Sequence, residues 1–348
     1  MQNKQVVWLI LALLVAVFIL ALMGIAVGVS QISPLKALAI IIYQISPNWL
    51  ADSLINNGWI IKDWRNSDEV IISQLRAPRT ILAMLTGAGL AVSGAALQAA
   101  TRNPLTDPFL LGVSSGASFG AVLVISHVGL VFGALTMPLF SFCGGMISFA
   151  LLMLLMRQPA NQRPDRLVLA GVAISFLLMA GTNALIFLGD QRAAQSVVFW
   201  MLGGLGRARW DLLPIPAMVI VSGVILLLWQ ARNLNALIMG QESAASLGLA
   251  VKRVRTYILL LATLVTSLIV SLTGTIGFVG LVVPHIVRSF VGGDNRLVLP
   301  LSALAGAVFV MIIDIISRVL LAPQELPIGV ISGALGGGYF CYLLARRS

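Results

Sequence analysis

In a chain with few charges, the residues able to do chemistry are quickly found. Asp314 and Arg318 in "DIISR" stand four apart, so they share one helix face, with the acid on the N-terminal side as a favourable ion pair requires. An ionisable residue inside an apolar segment is a functional candidate, and the plainer alternative is an ion pair that joins helices. The spacing favours the ion pair for Asp314, and Arg318, nearer the end of its segment, is expected to be less constrained. His127 and His285, the two histidines, have no HExxH pattern and no partner at metal-ligand spacing, so packing or helix-end roles are expected. Cys143 and Cys341 lie in apolar runs without a CxxC partner and are expected to be buried thiols. A GxxxxGK[ST] phosphate loop is absent, and "GAGLAV" (87–92) matches only the start of a dinucleotide fingerprint inside an apolar run. The chain is therefore expected to hold no cofactor or metal of its own and to be no enzyme.

The elements that must position these residues are membrane spans. Hydrophobic residues make up 59% of the 348 and charged residues 10%, against about 25% charged in soluble domains. The first apolar run, 6–29, exceeds the roughly 20 residues that cross a bilayer as a helix. It is too long for a signal-peptide core and has no small-x-small cleavage site, so it reads as a retained span. An all-α fold of about ten spans follows, at 6–29, 70–100, 109–126, 131–156, 167–188, 212–231, 255–273, 276–290, 297–320 and 329–345. The pieces 109–126 and 276–290 are short, and 191–206 could add a surface or re-entrant helix. Residues 31–69 form the longest polar connection, expected as an outer surface loop, in part helical, with Trp49, Trp59 and Trp64 suited to an interfacial belt. No stretch is long enough for a second soluble domain, so 1–348 is taken as one membrane domain.

The net charge of +10 does not point to nucleic acid, because the basic residues sit singly or in short clusters between spans. With the N-terminus inside, thirteen of the 22 basic residues fall on inner connections. They are Lys4, Arg102, Arg157, Arg163, Arg166, Arg232, Lys252, Arg253, Arg255, Arg288, Arg296, Arg346 and Arg347. That bias favours both termini in the cytoplasm and makes 232–254 a cytoplasmic segment. Glycines recur at four-residue spacing in "GVSSGASFG" (Gly112, Gly116, Gly120) and in "GVISGALGG" (Gly329, Gly333, Gly337). Such smooth stripes let helices pack closely, which is the expected role. The polar stretch "GQESAASLGL" (240–249) reads, on its residues alone, as a solvated loop.

Several segments together resemble the permease family of type II ABC importers for iron-siderophores, haem and cobalamin. They are "RAPRT" (76–80), "SGAALQAATRNPLTDPFLLGVSSGAS" (93–118), "WMLGGLG" (200–206), "GQESAASLGL" (240–249), "GTIGFVGLVVPHIVR" (274–288) and "DIISRVLLAPQELPIGV" (314–330). The resemblance implies a ten-helix subunit of a bacterial cytoplasmic membrane that pairs with a second copy or a paralogue. It also implies cytoplasmic ATPase subunits, which bind ATP and Mg, and an outer substrate-binding protein, periplasmic or a lipoprotein. Carried over residue by residue, it makes Arg76, Arg79 and Arg318 exposed docking arginines for acids of that binding protein, a role suited to the planar guanidinium fork. Asn103, Pro104 and Leu105 become part of a cytoplasmic gate. Residues 240–249 become a short coupling helix, begun near Gly240 and ended by a left-handed cap near Gly248. In it Glu242 lies in the first turn, Ala244, Ala245 and Ser246 allow close seating in the ATPase, and Leu247 supplies an apolar contact. Two segments depart from the family pattern. Pro164 and Asp165 stand where some members have small hydroxyl residues, so the gate role is not carried onto them, and "GALGGGYF" (333–340) lacks a proline before its aromatic.

The expected function is import of an iron(III)-siderophore along a path at the subunit interface, lined by small and hydroxyl side chains and powered by the separate ATPases. Haem or cobalamin is the alternative cargo within the same family. An ion-coupled carrier is the competitor from another class, weakened because Asp314 is the one clear acid inside a span.

Overall fold

The structure, a computed structural model, describes residues 3–30, 32–58, 60, 62–157 and 164–346. Trp59, Arg163 and Arg347, which the sequence placed at membrane faces, lie outside the described residues. Among those described there is no strand, and the chain is built from α1 (Asn3–Ala26), α2 (Pro34–Ile45), α3 (Asn48–Asn56), α4 (Asn66–Val70), α5 (Ala77–Thr101), α6 (Val113–Leu123), α7 (Thr136–Leu155) and α8 (Pro164–Leu188), followed by α9 (Gln191–Met201), α10 (Pro214–Trp229), α11 (Ala231–Ile238), α12 (Gln241–Ser246), α13 (Val251–Thr273), α14 (Val279–Val291), α15 (Asn295–Val319) and α16 (Ile328–Arg346). Among the described residues seven helices are long and apolar enough to cross a membrane, and α10 with α11 would make an eighth span bent by 51°. The two spans that the sequence marked as short are short here, Val113–Val128 and Val279–Val291. Each of the ten expected spans thus has a counterpart, and 191–206 contributes α9.

Burial orders these helices. In the apolar window of Asn66–Thr101, 78% of residues are buried, against 6% for α1 and 17% for α8 and for α16. The helix through α4 and α5 is therefore the post around which the others pack, while α1, α8 and α16 turn most of their surface outward. The post is continuous despite Pro78, because a widened turn over Ile71–Arg76 lets the Ala77 N–H donate to Ile72 O, five residues back.

Contact at the centre is backbone on backbone. A methyl added to Gly87 would meet Gly306 O of α15 at 2.0 Å, and one added to Gly94 would meet Gly280 O of α14 at 2.1 Å. Helix pairs this close gain dispersion along their length, which is the main attraction left where lipid already solvates apolar side chains. The stripe Gly112, Gly116, Gly120 serves the same end. A methyl added to Gly116 would meet Gly144 O at 2.3 Å and one added to Gly120 would meet Phe140 O at 2.1 Å, both on α7. The second stripe divides. A methyl added to Gly329 would meet Leu202 O at 2.4 Å, but nothing lies within 4 Å of one added at Gly333 or Gly337. For those two the packing expectation is corrected: α16 turns them to open space.

The described residues of 31–69 carry α2, α3 and the start of α4, in line with a partly helical segment, and Ile32, Ala37, Ile40, Ile60 and Trp64 share a core with Ala26 and Ile72. Two further expectations are corrected. Trp64 is 7% exposed and meets the Tyr43 ring edge-on, so it is a core residue, whereas Trp49 is exposed. Cys143 and Cys341 are exposed, because α7 and α16 turn these positions outward.

Candidate functional site

Three regions hold the residues singled out in the sequence. The first lies at the end of the molecule where α1 and α15 finish and the post begins. Asp314, 1% exposed, takes Arg79 Nε at 2.8 Å on one carboxylate oxygen and Arg318 Nη2 at 2.8 Å on the other. Arg79 also donates through Nη1 to Glu325 Oε1 at 2.9 Å. Arg318 Nη1 donates to Gly24 O at 2.8 Å and Val27 O at 2.9 Å. Arg76 donates to Ile25 O at 3.2 Å, to Ala26 O and to Ser30 O at 2.6 Å. Two cations thus satisfy the free carbonyls at the C-terminus of α1, where the helix dipole favours positive charge. Gly28 makes room for this, since a methyl there would lie 2.6 Å from Arg76 Nη2.

This geometry corrects the expectation of exposed guanidinium groups. Arg76, Arg79 and Arg318 are 7%, 8% and 4% exposed, and Arg318 is tightly held, not loosely placed near an end. The accessible member of the cluster is Glu325, whose side chain is 45% exposed. Sequence reasoning missed it because it lies in the turn after α15, eleven positions beyond Asp314, with no helical spacing to signal the pairing.

At the opposite end, residues 240–249 form the short helix α12 between two glycines of positive φ, Gly240 (121°) and Gly248 (81°). Gly248 N–H donates to Ala245 O at 2.9 Å and Leu249 N–H to Ala244 O at 3.1 Å. This pair of bonds is the Schellman closure that a left-handed glycine permits. Glu242, Ala245, Ser246 and Leu247 face outward. Ala244 does not: it is fully buried in the chain's own core and cannot seat against another protein. Arg102, Arg232, Lys252, Arg255, Arg288 and Arg296 gather at this same end.

The turn 103–105 lies beside α12. Arg102, in left-handed conformation (φ 53°), ends α5, and its Nη1 would stand 3.8 Å from a methyl on Gly240. Asn103 Oδ1 accepts Leu105 N–H at 2.9 Å, which fixes the turn and leaves Pro104 and Leu105 exposed. Asp107 follows, 2% exposed, and caps the 3-10 turn Pro108–Leu111 by accepting Phe109 N–H at 2.8 Å. Burial pushes its carboxyl up to about 6, against the lowering effect of that hydrogen bond. Nothing in the sequence marks this acid beyond its place in "LTDPF".

Phe109 and Leu110 then reach the third region, a cleft of about 600 Å³ bordered by α6, α8, residues 275–278 and α16. Ser114, Ser115, Ser118, Ser175, Thr182 and Asn183 line it among apolar side chains, and no charged residue does. Gly333 lies on its wall, which accounts for the open space at that position of the second glycine stripe. Phe278 also borders it, in a left-handed conformation (φ 68°) that a bulky residue seldom adopts. Its ring fits only because Gly336 has no side chain, as a methyl there would lie 2.3 Å from Phe278 Cβ. His285 meets the Tyr339 ring edge-on and the Phe340 ring at a tilt, at centroid distances of 5.9 and 6.2 Å, a packing role as expected.

The profile of the FecCD transport family matches residues 11–346. The chain belongs to the FecCD transport family. Among curated FecCD relatives, the hemin transport system permease protein HmuU of Yersinia pestis is 38% identical over 78% of this chain and 82% of its own length. The Fe(3+) dicitrate transport system permease protein FecD of Escherichia coli is 36% identical, with 82% and 89% covered. The cobalamin import system permease protein BtuC of Halobacterium salinarum is 38% identical, with 80% and 74% covered. A solved structure described as an inward-facing conformation of a metal-chelate type ABC transporter superposes with a TM-score of 0.80 at 26% identity, covering 97% of this chain and 98% of that one. This FecCD chain is thus a multi-pass membrane protein and an ABC importer permease. Membership implies separate ATPase subunits and a second permease as partners.

Proposed function

We propose that this permease imports an iron(III)-siderophore complex across the cytoplasmic membrane. The observation that supports the reading best is the cleft: large, open, lined by hydroxyls and one amide, and without a charged side chain. A metal already wrapped by its chelator needs no ligands from the protein, and a lining of weak hydrogen-bond partners suits a bulky cargo that must leave again. Haem or cobalamin is the alternative cargo, and the three relatives named above divide among haem, ferric dicitrate and cobalamin. Uptake into vesicles that hold the permease, its ATPase subunits and the cognate binding protein tests this directly. Preference for haem or cobalamin over ferric siderophores would overturn the iron-siderophore assignment.

In this reading both termini and α12 are cytoplasmic. The outward face of α12, Glu242, Ala245 and Leu247 between Gly240 and Gly248, seats in an ATPase subunit that binds ATP and Mg. Asn103, Pro104 and Leu105 form part of the cytoplasmic gate, joined to the cleft by the short run through Asp107 to Leu110. The opposite end receives a substrate-binding protein. Arg76 and Arg318 hold the backbone of that end in shape, and Arg79 is the arginine that a partner's carboxylate reaches, by displacing the exposed Glu325.

A further inference from the structure

Among α7, α8, α12 and α13 lies a cavity of about 370 Å³ whose lining divides by chemistry. Met153, Met156, Leu167 and Leu259 form an apolar wall, and Gln241, Glu242, Lys252 and Arg255 stand on the polar side. The cations there are not matched by the protein. With the Gln241 amide turned so that its oxygen faces Arg255, that one oxygen accepts both terminal guanidinium nitrogens at 2.9 Å. The Nε–H of Arg255 is shut off from solvent with no acceptor, and Arg102 stands close enough to repel the same guanidinium. Among the described residues, no carboxylate forms an ion pair with Arg102, Lys252 or Arg255, although Glu242 lines the same cavity.

We propose that this cavity binds an anionic phospholipid, with its phosphate on Arg255 and Lys252 and an acyl chain along Met153, Met156, Leu167 and Leu259. Arg255 and Lys252 line the cavity without a paired carboxylate, which favours an anionic ligand, and the guanidinium group matches phosphate geometry. Basic pockets between membrane helices are the sites where acidic headgroups collect. Inorganic phosphate or a partner's carboxylate would answer the charge but leave the methionine and leucine wall uncovered. A phospholipid answers both, and methionine side chains adapt readily to an acyl chain. The cavity touches α12 through Gln241 and Ala245, so the bound lipid braces the helix assigned above to the ATPase contact. That consequence rests on the coupling reading, whereas lipid binding is read without transport, so the two can fail separately.

The test is native mass spectrometry of the full chain, delipidated in detergent and then titrated with phosphatidylglycerol, phosphatidylcholine or inorganic phosphate. Phosphatidylglycerol is expected to be retained over phosphatidylcholine, and Lys252→Gln or Arg255→Gln to lower its retention about fivefold for each charge removed. Met156→Trp, at a half-buried position of the apolar wall, is expected to lower retention with the charges intact, while Arg209→Gln, in the surface pair with Asp211 at the other end, leaves it unchanged. Lys252 is exposed, so Lys252→Gln keeps the test valid should Arg255→Gln misfold. Equal retention of the two lipids, or retention indifferent to both substitutions, would overturn the proposal. So would displacement of the lipid by inorganic phosphate, which marks a soluble anion, or by the ATPase subunit, which marks a protein carboxylate.

Discussion

Asp314→Asn isolates the electrostatics of the buried cluster. Asparagine keeps the volume and one carbonyl oxygen but removes the anion that Arg79 and Arg318 share at 2.8 Å each. Both guanidinium groups are under 10% exposed, and water cannot replace the lost partner. Removing one member of a buried ion pair costs about 3–5 kcal/mol, and Arg76 nearby adds to the repulsion. Glu325→Gln is the control, because its side chain is 45% exposed and such pairs contribute about 1 kcal/mol or less. The assay is thermal unfolding of the purified chain in one detergent, followed by tryptophan fluorescence at low and high salt. Asp314→Asn is expected to lower the midpoint several times further than Glu325→Gln, with little dependence on salt, whereas the small Glu325→Gln effect shrinks as salt rises. In an Arg318→Met background Asp314→Asn is expected to cost less, since one fewer cation is left unmatched. If Asp314→Asn is no more damaging than Glu325→Gln, the cluster does not hold α1 and α15 together as argued.

Replacing Ala245 or Gly248 with tryptophan is expected to uncouple ATP hydrolysis from uptake while insertion and dimer formation persist, and unchanged transport would remove the coupling assignment; Ala244→Trp, by contrast, is expected to destabilise the chain itself, because Ala244 is fully buried. Asp107 predicts a pH dependence. Its native carboxyl is raised to about 6 from an ordinary 3.8, so between these values the folded state binds more proton than the unfolded state and stability falls as pH rises. Asp107→Asn keeps an oxygen for Phe109 N–H and is expected to flatten the unfolding midpoint across that window; a wild-type profile equally flat would refute the shift. Gly87→Leu is expected to separate α5 from α15 and abolish stable folding, since even a methyl would overlap Gly306 O at 2.0 Å, and a variant with unaltered unfolding would contradict the contact.

How far the fold was legible in the sequence follows from which forces leave periodic traces. Spans are read from runs of apolar residues, because bilayer thickness constrains sequence locally, whereas the short helix α12 is legible only through the family resemblance, its residues alone reading as a solvated loop. The pair Asp314 and Arg318 was visible from its spacing, being one helical turn apart. What stayed hidden depends on acceptors that any sequence supplies. Arg76 and Arg318 donate to carbonyls at the end of α1, and backbone oxygens have no residue type, so the motifs that resemble docking arginines gave no sign of that commitment. Asp107 and Glu325 lie in turns, where no spacing links them to the helices they meet. The glycine stripes show the limit from the other side: equal spacing marks close packing at Gly116 and Gly120 of α6 but the open wall of a cleft at Gly333 of α16. Spacing fixes which residues share a face, and only the neighbouring helix decides whether that face is closed or left open for a cargo.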